Sequence, residues 1–431
     1  MNLAGVVEAD LTWTGERLEP GIRILINHQG RIEAVGPLDQ SPDLRLRDRA
    51  LLPGFVNAHS HAFQWGLRGQ GERFAGGAGS FWSWREAMYR LSERLDPEEF
   101  FRLCLGAYRE MRRGGITSVG EFHYLHHSPK TTDWSYDRLV LRAARAADIR
   151  LVLLNAYYRS GGIGRPLEGA QRRFDGGSLA VYWEQQDRIA AELDPLTQTL
   201  GAVAHSVRAV APEEIASLHA EAARRGLVFH LHLEEQRQEI EDSVAAYGRR
   251  PMALLNQLLP STRQVTAVHC THTDPADLDC FLDRGGAVCV CPLTEANLGD
   301  GIPALAGVRN PGDRLCLGTD SNARIAMAEE MCWLEYGQRL RREERGALRD
   351  PEGQVARVLL RAATEAGAVS LGVKAGRIEP GRWADFCAVD LTAPELASAD
   401  RALLLEAFVF GAGSAVVRET CVGGRWSGSE R

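Results

Sequence analysis

The sequence predicts an α/β fold: a (β/α)₈ TIM-type barrel with a small β-sandwich domain built from both chain ends. Through the middle of the chain, eight short apolar, β-rich runs alternate with longer amphipathic segments. Both ends read instead as short strands separated by glycine turns. A third observation concerns chemistry: histidines and an aspartate sit where the β runs stop, the end of a barrel strand at which functional groups collect.

The N-terminal strands are VVEADLTW, IRILINH and RIEAVG, and the C-terminal ones lie within AGRIEPGRWADFCAVDL and AVVRETCVGGRWS. Residues 1–53 and 376–431 are therefore assigned to the sandwich, and residues 54–375 to the barrel. The eight barrel runs are LLPGFVNAH, TSVGEF, IRLVLLNAYY, LGAVAHS, LVFHLHL, VTAVHC, GAVCVCP and RLCLGTD. Helical patterns lie between most of them, such as PEEFFRLCLGAYREMRRG, closing on Gly114, and PEEIASLHAEAARRG, closing on Gly226. The glycine-rich GERFAGGAGS at 71–80 reads as a loop over the site.

Composition narrows the partners. The 431 residues are 45% hydrophobic and 25% charged, ordinary for a globular chain. A net charge of −7 argues against nucleic acid or an anionic membrane, both of which select a basic face. MNLAGVVEADLTW has no signal-peptide pattern and no apolar run approaches membrane length, so the expected location is cytoplasmic. The nine cysteines are scattered through apolar stretches and read as reduced, buried thiols, with Cys289 and Cys291 read as strand residues. Lysine is limited to Lys130 and Lys374 among 50 basic residues.

His59, His61, His205, His232 and His269 each fall at the end of a predicted strand. In VNAHSHAF, His59 and His61 are two apart, so an extended backbone points both the same way. His232 closes the fifth run and Asp320 the eighth. Three imidazoles, a carboxylate and an open water position suit a catalytic zinc; iron or manganese fits the same donors. The plain alternative makes each a hydrogen-bonded core residue.

LLPGFVNAHSH, HLHLEE, VHC and LGTDS resemble the successive barrel motifs of the amidohydrolase superfamily, and the resemblance covers nearly the whole chain. Binuclear members carry a carbamylated lysine on the fourth strand; LGAVAHS has none, so the resemblance implies one Zn²⁺ per chain, held by His59, His61, His232 and Asp320. One-metal members with Glu three residues after the fifth-strand His are typically deaminases. That pattern selects Glu235 as proton shuttle, whereas strict strand alternation would select Glu234. It also gives His269 the role of orienting and polarising the reactants, and Asp320 a share in proton acceptance.

HSHAFQ, SFWSWRE, EFHYLHH, AHSVRAV, HLHLEEQ and CPLTEANLGDGIP are similar, more specifically, to N-formimino-L-glutamate deiminases. The resemblance implies zinc-dependent hydrolysis of N-formimino-L-glutamate to N-formyl-L-glutamate and ammonia, within histidine degradation. It maps substrate contacts onto Gln64, Arg85, Tyr124, His205, Arg208 and His269. Two arginines suit a substrate with two carboxylates, since each guanidinium holds one bidentately. The family also implies a homodimer. The competing readings are a guanine-type ring deaminase sharing the metal site, a binuclear amide hydrolase, and a non-catalytic scaffold.

Overall fold

Strands of a parallel barrel are covered on both faces and so read as unbroken apolar runs rather than alternating ones. The computed structural model of the chain, which describes residues 4–72, 74, 79–305, 307, 308 and 310–427, has eight such strands. Five strands precede them: β1 (Gly5–Trp13), β2 (Leu18–Glu19), β3 (Arg23–Ile26), β4 (Ile32–Gly36) and β5 (Leu44–Pro53). The barrel strands are β6 (Phe55–Ser60), β7 (Ile116–His123), β8 (Arg150–Tyr157), β9 (Gln198–Ser206), β10 (Phe229–Leu233), β11 (Val265–His269), β12 (Ala287–Val290) and β13 (Leu315–Leu317). Three follow: β14 (Phe386–Asp390), β15 (Val417–Val422) and β16 (Arg425–Ser427).

β6 to β13 pair in chain order, all parallel. Every residue of β6, β7, β8, β10 and β11 is buried. The last strand returns to the first through a parallel bridge between Ser60 and Asp320. Thr319 and Asp320 both donate backbone N–H to the His59 carbonyl at 3.0 Å, and His61 donates to that of Asp320 at 2.8 Å. Gly318 makes this closeness possible, because a Cβ there would lie 2.8 Å from the Cβ and the carbonyl oxygen of His59.

The helices follow their capping signals. Asp96 accepts the Glu99 N–H ahead of the helix Pro97–Arg113, which has proline in its first turn. The helix Pro212–Arg225 stops at Gly226, whose φ of +68° is the left-handed conformation that glycine adopts freely. Of the loop expected at 71–80, residues 73 and 75–78 lie outside the described residues. All nine cysteines are free and seven are buried; Cys280 is exposed and Cys332 half-buried.

The two chain ends share one eight-stranded mixed sheet, ordered β16-β15-β14-β5-β1-β3-β4 with β2 beside β1. The expected sandwich is thus one continuous sheet, and it is not wholly antiparallel. After the β3–β4 hairpin the chain crosses to the other side of β1, so β5 runs parallel to it. The sheet has its own core, including Val7, Ile24, Leu51, Phe386 and Trp426.

The sheet is fastened to the start of β8. Arg150 donates to both oxygens of Asp385 at 2.9 and 3.0 Å, and its guanidinium carbon lies 4.1 Å from the centre of the Trp383 ring. Both charges are buried, so losing one strands the other. Arg150→Ala is expected to cost about 3–5 kcal/mol in denaturant unfolding; a loss under about 1 kcal/mol would contradict this reading of the pair.

Candidate metal centre and adjoining cavity

Side chains of β6, β10 and the turn after β13 converge inside the C-terminal mouth of the barrel. His59, His61, His232 and Asp320 form a buried group whose ligand atoms all lie within 4.8 Å of one another. His59 and His61 each place Nε2 3.2 Å from Asp320 Oδ1. His232 Nε2 lies 3.2 Å from that of His59 and 3.3 Å from that of His61.

Hydrogen bonds behind the rings settle what these nitrogens present. His61 Nδ1 donates to the Phe122 carbonyl at 2.7 Å, and His232 Nδ1 to the His205 carbonyl at 3.1 Å. In the neutral rings Nε2 is then a bare lone pair on both. Burial favours the neutral form, holding His59 at about 3 and His232 well below the ordinary histidine value. Lone pairs 3.3 Å apart beside a carboxylate oxygen repel unless a cation lies among them. The donor set therefore fits a divalent metal with nitrogen and oxygen ligands.

A cavity of about 50 Å³ opens onto this group. Among its lining residues are His61, Gln64, Arg85, Tyr124, His205, Arg208, His232, Glu235, His269 and Asp320, so the residues singled out from the sequence share one space, with His59 beneath. Gln64 Nε2 donates to the Tyr124 hydroxyl at 2.6 Å, leaving its own Oε1 without a partner. Arg208 is buried, with NH2 3.5 Å from Glu235 Oε2 and Nε 3.9 Å from Glu239 Oε2. Arg85 is half-buried, its guanidinium carbon 5.3 Å from the ring centres of both Trp82 and Tyr89.

The two glutamates after His232 separate at a turn. β10 ends at Leu233, and Glu234 has a φ of +51°, in the left-handed region that costs a non-glycine residue roughly 1–2 kcal/mol. Alternation stops there. Glu234 turns outward, accepting the Met252 N–H at 3.1 Å, and Glu235 turns into the cavity. His269 and Asp320 have the same handedness, with φ of +75° and +42°.

His269 lies between two carboxylates, Nε2 3.8 Å from Glu235 and Nδ1 3.3 Å from Glu295. Burial opposes its charged form, but Glu235, Glu295 and Asp320 outweigh it and carry the imidazole up to about 10.

Sequence reasoning left out much of the wall. Phe81, Trp84, Met88 and Tyr89 line the cavity beside Arg85 from the helix Phe81–Arg94. Their spacing of 0, 3, 4, 7 and 8 from Phe81 is one helical face, a signal that was available. Tyr158, just past β8, follows from the strand-end rule; Phe174 and Leu298 have no comparable cue. Glu295, Cys291 and His269 form a further buried group, and Glu295 lies within a string already noted for its resemblance.

The pattern of the amidohydrolase family matches residues 50–427. A Pseudomonas aeruginosa protein named formimidoylglutamate deiminase is 39% identical over 411 residues, covering 94% of this chain and 90% of the relative. A 5-methylthioadenosine/S-adenosylhomocysteine deaminase of Syntrophobacter fumaroxidans is 28% identical, covering 95% and 89%. The crystal structure of an amidohydrolase from Brucella melitensis superposes with a TM-score of 0.88 at 31% identity, covering 98% of this chain and 94% of that one. A zinc-bound adenosine deaminase from Xanthomonas campestris shares the fold, with a TM-score of 0.80 at 24% identity and 98% and 92% coverage. Matched across most of its length by the family pattern and by relatives of comparable size, this chain belongs to the amidohydrolase family.

Proposed function

We propose that this chain is a zinc-dependent formimidoylglutamate deiminase, hydrolysing N-formimino-L-glutamate to N-formyl-L-glutamate and ammonia. One observation carries the reading: two arginines, Arg85 and Arg208, line the same cavity as the metal-ligand group and Glu235. The 39% identity to a protein of that name supports it. A cationic amidine is complementary to Glu235 and Asp320, and a glutamate's carboxylates are complementary to guanidinium groups.

His59, His61, His232 and Asp320 would hold one Zn²⁺. When bound, it supplies a Lewis acid and a water acidified toward ~7. Glu235 accepts the water's proton at a carboxylate oxygen and returns it to the departing nitrogen, for which its place on the cavity wall suits it. His269 Nε2, facing Glu235 across 3.8 Å, stabilises charge developing at the amidine. Arg208 and Arg85 hold the carboxylates, with Tyr124, Gln64 and His205 shaping the channel between. The resemblance supports a homodimer; among the described residues no helix is long and apolar enough to cross a membrane.

The aromatic lining, including Tyr89, Tyr124, Tyr158 and Phe174, favours one second reading, stacking of a heteroaromatic ring as in a purine deaminase. Ammonia release from N-formimino-L-glutamate, guanine and 5-methylthioadenosine separates the two: turnover is expected only with the first, and turnover confined to a purine would overturn the assignment. Arg208→Ala is expected to cost about 2–5 kcal/mol, at least roughly thirtyfold in kcat/KM, with metal content unchanged. Glu235→Gln should lower kcat by about 10²–10⁴ while metal analysis still finds one ion per chain; two ions per chain would favour a binuclear hydrolase.

A further inference from the structure

His269 is held from behind by a carboxylate that no role above uses. Glu295 lies in the helix Pro292–Leu298, one turn from its start, and is 3% exposed. Its Oε1 meets His269 Nδ1 at 3.3 Å and also accepts the backbone N–H of Cys291 at 2.9 Å. The second bond ties the carboxylate to its own helix start, so the oxygen that meets the imidazole is fixed. The neighbouring N–H, that of Leu293, is satisfied from elsewhere, by Glu330 Oε2 at 2.9 Å.

A buried carboxylate is costly unless it is paired, and a single backbone N–H is a small return for an ion. The imidazole is the second partner. A carboxylate only accepts, so it requires the proton on Nδ1 and directs Nε2 to the cavity side, where Glu235 stands 3.8 Å away. The left-handed backbone of His269, at φ +75°, is maintained with the ring in this orientation.

We infer that Glu295 is a positioning residue: it keeps His269 protonated at Nδ1 and holds the ring so that Nε2 faces the reacting group. This rests on the deaminase reading for its catalytic consequence, but not for its structural claim. A glutamine at this position can place its amide oxygen where Oε1 lies, accepting from both the Cys291 N–H and Nδ1, whereas a leucine offers Nδ1 no acceptor.

Two measurements test it. In protein labelled with ¹⁵N-histidine, the His269 signal is assigned by its loss in His269→Asn; a protonated Nδ1 is expected in the unsubstituted chain, and a bare Nδ1 overturns the inference with no substrate involved. Glu295→Leu and Glu295→Gln are then compared with the unsubstituted chain on whichever substrate the latter turns over. The expected result is a fall in kcat of at least about tenfold in Glu295→Leu, with KM within about twofold, and recovery of most of that loss in Glu295→Gln. Equal kcat in Glu295→Leu, or a loss confined to the melting midpoint, would show a helix cap and nothing more. Failure of the unsubstituted chain on N-formimino-L-glutamate strikes the substrate assignment alone, because the nitrogen spectrum still decides the role of Glu295.

Discussion

The rest of the structure depends on holding four electron-rich groups together in a dry place. Three imidazole nitrogens and a carboxylate oxygen lie within 4.8 Å of one another at the barrel mouth, and nothing in their own chemistry brings them there. The backbone does it by closing the barrel. His59 and Asp320 are 261 positions apart, yet the carbonyl of one accepts the N–H of the other across the seam. The rings are then oriented by carbonyls of the neighbouring strands, Phe122 behind His61 and His205 behind His232. His61 and His232 are thus fixed twice, once by the backbone that bears each ring and once by the carbonyl of a neighbouring strand.

The cavity extends the same logic to charge. Arg208 stands between Glu235 and a fully buried Glu239, whose carboxyl burial raises to about 7, so the guanidinium is held by acids on both sides. Left-handed backbone at Glu234, His269 and Asp320 turns the chain sharply where three strands leave the barrel. Backbone strain is therefore present at three of the strand ends around the cavity.

The fold was legible because its signals are periodic. Eight apolar runs and their helices could be read directly, and all eight appear as β6 to β13. The ligand group was legible because H-x-H, a terminal strand histidine and a strand-end aspartate each sit at a place the barrel pattern singles out. Glu235 was not legible from alternation, which breaks at Glu234 where φ turns positive; the family pattern selected it, and it required the chain to turn after Leu233. The aromatic wall was missed because SFWSWRE was read as a string of family resemblance rather than as the start of the helical face that carries Phe81, Trp84, Met88 and Tyr89. Glu295 escaped because its partner lies 26 residues away on another element, and no local pattern encodes such a pairing. The parallel pairing of β1 with β5 was hidden for the same reason, since it is a choice of path.

The buried pair of Arg150 and Asp385 ties the terminal sheet to the start of β8, and the carbonyl of Asp385 also accepts the N–H of Gly54, just before β6. Both attachments are at the opposite end of the barrel from the metal-ligand group. Durability and chemistry are consequently written into separate regions of one chain. Change at the foot can harden or soften the molecule while the mouth keeps its geometry, and the mouth can be refitted for another ligand without loosening the base.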